Sequence, residues 1–170
     1  MRDNPSPPTG KSVAARFARV AALACALLLA GCGLLRHRDL PSQVAGLPPS
    51  FTARDELGLA QVRRLHGTKL DVDSGALGIY GGGAVSIWVA GARDSVVAAR
   101  LVRQMVGKVG EANSPFTPES TRTLASREIH ELSGLGQRHF CFRAGSRVVW
   151  LAANRGVADA ALDDALRFYR

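Results

Sequence analysis

The stretch RHFCFRAGSRVVWLAA, residues 138–153, decides the fold, because apolar side chains alternate on both sides of a Gly145-Ser146 pair. A two-residue turn at that pair makes an antiparallel hairpin whose register follows from the turn length. Side chains that pair across such a hairpin share one face of the sheet. The predicted pairs are Phe142 with Val149, Phe140 with Leu151, and Cys141 with Trp150.

Short segments with β-branched and aromatic residues precede this hairpin. TKLDV (68–72), ALGIY (76–80) and AVSIWVA (84–90) are separated by the turn formers DSG and GGG, and we expect at least two of them to be strands. SREIHEL (126–132) predicts a weaker strand, whereas the proline-marked NSPFTPEST (113–121) predicts a loop.

Three segments have the apolar periodicity or the charge order of helices. Residues 94–111 are the clearest, with an apolar stripe on one side and Asp94 or Ser95 as a cap. Residues 156–170 close the chain as a second amphipathic helix, and 54–67 predict a shorter one. The stripe of the clearest helix consists of Val97, Ala98, Leu101, Val102, Met105, Val106 and Val109.

This order of elements predicts a two-layer α+β domain with an antiparallel or mixed sheet and helices on one face. A split β-α-β, ferredoxin-like arrangement fits it best. The other sheet face would then be a recognition platform or dimer interface, unless the N-terminal helix or the preceding segment covers it and makes its tryptophans part of the core. The predicted binding residues on that face are Trp88, His139, Arg143 and Trp150.

The N-terminal region has the layout of a secretion signal. A basic, proline-containing leader spans residues 1–19, and eleven apolar or small residues follow at 20–30. That length fits the core of a signal peptide and is too short for a bilayer-spanning helix.

The apolar core ends in Leu29-Ala30-Gly31-Cys32, which resembles the lipobox of bacterial lipoprotein precursors. The resemblance covers only residues 1–32. It implies a diacylglyceryl group on the Cys32 sulfur, cleavage between Gly31 and Cys32, and acylation of the new amino terminus. Acyl chains hold a protein on a bilayer without spanning it. We therefore expect a protein anchored to a bacterial membrane on its periplasmic or outer side.

This interpretation divides the chain into a signal peptide (1–31), a lipidated cysteine with a flexible, proline-containing tether (32–52), and one α+β domain (53–170). The 22 basic and 14 acidic residues leave a diffuse basic excess that suits anionic lipid or envelope polymer. The scattered arginines predict no nucleic-acid partner.

The sequence contains no complete catalytic motif, so it predicts a non-enzymatic binding or structural role without a cofactor. There is no Gly-x-Ser-x-Gly and no His-Glu-x-x-His. Envelope partners of the open face would be a protein, peptide, glycan or lipid, or a second copy of the chain. The alternative is a metal-binding or enzymatic envelope protein that uses His130, His139 and Cys141, since a His-x-Cys pair lies on one strand face.

Overall fold

The computed structural model describes residues 39–66, 70–109, 111 and 113–170; the predicted signal peptide and lipidation site lie outside these residues. Seven strands and three α-helices follow one another in the described part of the chain. They are β1 (Pro49–Ala53), α1 (Asp55–His66), β2 (Ser74–Tyr80), β3 (Val85–Gly91), α2 (Ser95–Val109), β4 (Phe116–Leu124), β5 (Arg127–Gly134), β6 (Gln137–Ala144), β7 (Arg147–Ala153) and α3 (Ala158–Phe168).

The strands form one sheet in the order β1-β2-β3-β7-β6-β5-β4, and every neighbouring pair is antiparallel. The fold is therefore α+β. The ferredoxin-like arrangement is not confirmed, because β4 to β7 form a four-strand meander that returns to pair β7 with β3.

The hairpin of residues 138–153 has the predicted register. Phe142 pairs with Val149, and Cys141 pairs with Trp150. The turn occurs at Gly145, whose φ of 61° requires the left-handed region that glycine adopts without strain. Strand β7 lies fourth among the seven strands and is therefore the centre of the sheet.

Helices cover both faces of the sheet, so the prediction that they lie on one face is wrong. Residues of α3 and of segment 39–47 pack on one face, against strand residues such as Ile87 and Leu151. Residues of α1 and α2 pack on the other, against Cys141 and Val148. The physical reason is that apolar side chains of β6 and β7 point to both faces of the sheet. Each face must therefore be covered by another layer.

Residues 39–47, predicted as part of a flexible tether, are folded onto the sheet. Leu40 is 3% exposed and Val44 is fully buried. The Tyr80 hydroxyl donates to the Pro41 carbonyl oxygen at 2.9 Å, and the Ala45 N–H donates to Asp164 at 2.7 Å. The prolines suggested a linker, but two buried aliphatic residues and these long-range bonds make the segment part of the domain, which begins at or before Asp39 and includes β1.

Strand β4 includes most of the segment that was predicted as a loop. Nearly all of its side chains are exposed, and its ladder with β5 shifts register between Pro118 and Ser120. It is an edge strand without an apolar alternation, so no burial signal marked it in the sequence. Among the remaining segments, 76–80 is confirmed within β2 and 84–90 as a strand that begins one residue later, in β3, whereas the described residues 70–72 are not a strand.

Helix α2 packs through the predicted stripe. Val97, Ala98, Leu101, Val102 and Val109 are buried. The Asp94 carboxylate accepts the N–H groups of Val96 at 2.9 Å and Val97 at 2.8 Å, which caps the helix as predicted. None of the helices in the described part of the chain is long and apolar enough to cross a membrane.

Helix α1 crosses β2 at a backbone contact between two glycines. A Cβ placed on Gly58 would lie 2.1 Å from the Gly75 carbonyl oxygen, and a Cβ on Gly75 would lie 2.7 Å from the Leu59 Cα. No side chain fits between helix and strand at this point. Glycine is a poor helix former, but at Gly58 it permits the crossing.

We expect Gly58→Ala to lower the free energy of unfolding by about 2 kcal/mol, because the backbone contact leaves no room for a methyl group. The control is Gly107→Ala in α2, where an added Cβ meets no atom within 4 Å. That change should stabilise the protein by up to about 1 kcal/mol through helix propensity. Urea unfolding of both variants measures the contrast, and equal stabilisation by both would contradict the crossing.

Candidate ligand-binding cleft

The sheet face predicted to be a binding platform is covered by α1 and α2. Trp88 and Trp150 pair across β3 and β7 and are half-buried beneath these helices. His139 is 3% exposed, and only Arg143 is fully at the surface, where its Nη1 donates to the Gly145 carbonyl oxygen. His139 and Trp150 thus lie together under the helices, whereas Arg143 lies at the surface.

Three aromatic rings meet where β4 begins. The Phe116 ring lies edge-on to His139 at a centroid distance of 4.8 Å and to Trp150 at 5.3 Å. The centroids of His139 and Trp150 are 5.8 Å apart. These separations are typical of favourable aromatic contacts, so the three rings form one packed cluster.

Both ring nitrogens of His139 are used within the protein. The Trp150 Nε1–H donates to Nδ1 at 3.1 Å, because an indole nitrogen only donates. Nε2 therefore carries the proton and donates to the Gly134 carbonyl oxygen at 3.0 Å. Burial lowers the pKa of His139, and the bond to Gly134 partly opposes this effect. His139 is thus a neutral residue that fixes the orientation of the Trp150 indole.

A cleft opens between α2 and this aromatic cluster. Its volume is about 430 Å³, which is within the range of small-molecule sites. The apolar lining consists of Leu70, Leu101, Met105, Val109, Pro115, Phe116 and Trp150. The polar lining consists of Gln104, Lys108, Glu111, Asn113 and Ser114.

The cleft is adjacent to a smaller apolar cavity of about 20 Å³ that lies deeper under α2. Leu70, Leu101, Met105 and Trp150 line both spaces, and Trp88 lines only the deeper one. Both tryptophans of the chain therefore contact this region. The arrangement suits an apolar group inserted between Met105 and Trp150, with a polar end among the rim residues.

The residues of the predicted metal alternative do not form a ligand set. Cys141 is fully buried, and burial raises the pKa of its thiol to about 12. His130 contacts the Thr121 hydroxyl and the Glu128 carboxylate, both at 3.0 Å. Within residues 39–66, 70–109, 111 and 113–170, no three His, Cys, Asp or Glu side chains are grouped so as to hold a metal ion.

Sequence reasoning drew attention to three residues of this region. Trp88 and Trp150 were predicted for an open binding face, and Met105 for the apolar stripe of its helix; Trp150 and Met105 line the cleft, whereas Trp88 lines only the deeper cavity. Phe116 was missed, because it lies in the segment predicted as a loop. Gln104 and Lys108 lie outside the apolar stripe of the helix, and only the position of β4 shows that they reach the cleft.

The chain matches no protein-family model, no curated protein and no solved structure.

The His139 arrangement predicts a loss of stability in mild acid. The unfolded chain binds a proton at His139 near pH 6.5, whereas the folded state resists this proton because its pKa is lowered. The stabilisation is fully present above that pH and declines as the pH falls towards the folded-state pKa, with a slope of at most about 1.4 kcal/mol per pH unit.

Urea unfolding between about pH 7.5 and 5 measures this slope in the parent and His139→Gln proteins. We expect His139→Gln to reduce the slope below that of the parent. Equal slopes in the parent and His139→Gln proteins would contradict the conclusion that His139 is buried and neutral in the folded state.

Proposed function

We propose that this chain is a lipid-anchored protein of the bacterial envelope with a non-enzymatic binding role. The anchor proposal is supported by the Leu29-Ala30-Gly31-Cys32 sequence at the end of a short apolar core. It is also compatible with the position of the folded domain, which includes Asp39 and everything described after it. Cleavage before Cys32 would leave the whole domain intact.

The binding role is supported by one observation above all: an aromatic cleft whose lining divides into an apolar side and a polar side. Half-buried Trp150 is held in place by His139 rather than packed as an unspecific core residue. Lys108 and Glu111 bring opposite charges to the rim, so the cleft has no strong preference for ligand charge. The ligand class that fits is a small molecule or peptide side chain with an apolar body and a polar end.

The anchor is tested by the intact mass of protein extracted with detergent from membranes of its native host. We expect a mass equal to residues 32–170 plus diacylglyceryl and acyl groups. The control is Cys32→Ser, which should not be lipidated and should not be processed at Gly31. An unlipidated parent protein, or one that retains residues 1–31, would refute the anchor.

The cleft is tested with dodecanoate as an amphipathic probe, using the change in tryptophan fluorescence of the chain from residue 33 onward. That chain contains the whole compact unit 39–170, and both tryptophans line the site. We expect saturable binding that Met105→Gln weakens about fivefold, because it removes apolar lining worth about 1 kcal/mol.

Arg103→Gln is the matched control, since Arg103 lies on the same helix but is exposed. It should bind the probe as the parent does. The proposed cleft would be wrong if the parent gave no saturable fluorescence change, or if both variants lost affinity equally.

A further inference from the structure

The hydrogen bond between Trp150 and His139 depends on the charge of His139. The Trp150 Nε1–H donates to Nδ1 of the neutral imidazole at 3.1 Å. A second proton would have to bind at Nδ1, because Nε2 already donates to the Gly134 carbonyl oxygen. Two N–H groups would then point at each other, and neither an indole nor an imidazolium nitrogen accepts a hydrogen bond. A protonated His139 is therefore incompatible with the present orientation of the Trp150 indole.

The imidazole of His139 has no space into which to move. Strand β6 is paired on both sides, and the side chain is buried. The Phe116 ring packs edge-on against it and is itself in close contact with β5, since a Cβ placed on Gly134 would lie 2.5 Å from the Phe116 Cδ1 atom. The bond to Gly134 favours the protonated form of His139. The ring therefore keeps this bond when it is protonated, and the indole has to turn away.

The Trp150 indole does have space. It is half-buried and borders both the cleft of about 430 Å³ and the deeper cavity of about 20 Å³. Met105 and Phe116 line the cleft beside it. Rotation of the indole away from His139 moves it between these two residues, where it occupies the volume that an apolar group of a ligand would use.

His139 itself sets the pH at which this bond breaks. Its neighbours across the strands and in the aromatic cluster are uncharged: Leu132, Gly134, Ala152, Trp150 and Phe116. The pKa of His139 is lowered by burial, and the Gly134 carbonyl partly opposes this effect.

The charged or titratable groups on the same side of the sheet as His139 are engaged elsewhere. Cys141 on β6 stays a neutral thiol, because burial raises its pKa to about 12. On β5, His130 contacts Thr121 and Glu128. On α2 and just after it, Arg100 pairs with Asp71, Arg103 is exposed, and Lys108 and Glu111 lie at the rim of the cleft.

We propose that protonation of His139 turns the Trp150 indole into the cleft, so that the domain binds its ligand at neutral pH and releases it in acid. This inference rests on the proposed binding cleft. Proton and ligand compete, because each requires a different orientation of one ring. Affinity is full above the folded-state pKa of His139, which lies below the ordinary value of 6.5. Below that pKa it falls by up to about tenfold per pH unit.

The switch is tested first without a ligand, by NMR titration of the chain from residue 33 onward. The Trp150 indole N–H signal is distinguished from that of Trp88 with the Trp88→Phe protein. We expect it to move upfield in acid with the same midpoint as the ring protons of His139, because the hydrogen bond is lost. Circular dichroism follows the fold at each pH. An indole signal that does not follow His139, or unfolding before His139 titrates, would overturn the proposal.

Affinity for decanol, an amphipathic probe without charge, is then measured by calorimetry at about pH 7.5 and at about one pH unit below that midpoint. We expect the parent to bind about tenfold more weakly in acid. His139→Gln keeps a donor and an acceptor but does not titrate, and Trp150→Phe removes the N–H donor. In both variants the difference between the two affinities should fall below about twofold.

Trp88→Phe is the matched control, because Trp88 pairs with Trp150 across β3 and β7 but lines only the deeper cavity. It should keep the difference seen in the parent. A difference that persists in His139→Gln would assign it to another group, such as Glu111, and overturn the switch. Equal binding by the parent at both pH values would overturn the switch and leave the cleft in place. Failure of the parent to bind decanol at neutral pH would refute the cleft as well.

Discussion

The structure depends on one constraint: the central strand β7 must be covered on both faces. Val149 and Leu151 lie in the core beneath α3, while Val148 and Trp150 belong to the core beneath α1 and α2. A strand with apolar side chains in both alternating sets is unstable in a two-layer domain, because one set would contact water. The third layer is therefore a consequence of β7, and residues 39–47 complete the cover on the α3 side.

Local patterns predicted local structure well. The Gly145-Ser146 turn specified the hairpin register, and the stripe of α2 identified its buried side, because both are set by residues close in sequence. The number of layers depended on contacts between distant segments, and no local pattern reported them. Leu40 and Val44 lacked any periodicity, so their burial could not be predicted, and polar β4 carried no alternation to mark it as a strand.

For the candidate cleft, too, local patterns predicted only the local features. They placed the tryptophans on one sheet face, but they did not predict that two helices pack over that face. His139 attracted a metal interpretation because of its spacing to Cys141, whereas its actual partners are Trp150 and the Gly134 backbone. A histidine with both nitrogens bonded inside an aromatic cluster orients its neighbours and has no free lone pair for a ligand.

The Tyr169 hydroxyl donates to the Asp39 carbonyl oxygen at 2.8 Å, and this attachment has a mechanical consequence. A pulling force on the chain ahead of Asp39 would first load the bonds that hold residues 39–47, namely those from Tyr169, Tyr80 and Asp164. Two of these partners lie in or directly after α3, the last helix of the chain, so the load is carried by sequence-distant elements before β1 is peeled from the sheet edge. Contacts with the last helix and with Tyr169 therefore resist tension on the entering chain before the hydrogen bonds of β1 are loaded.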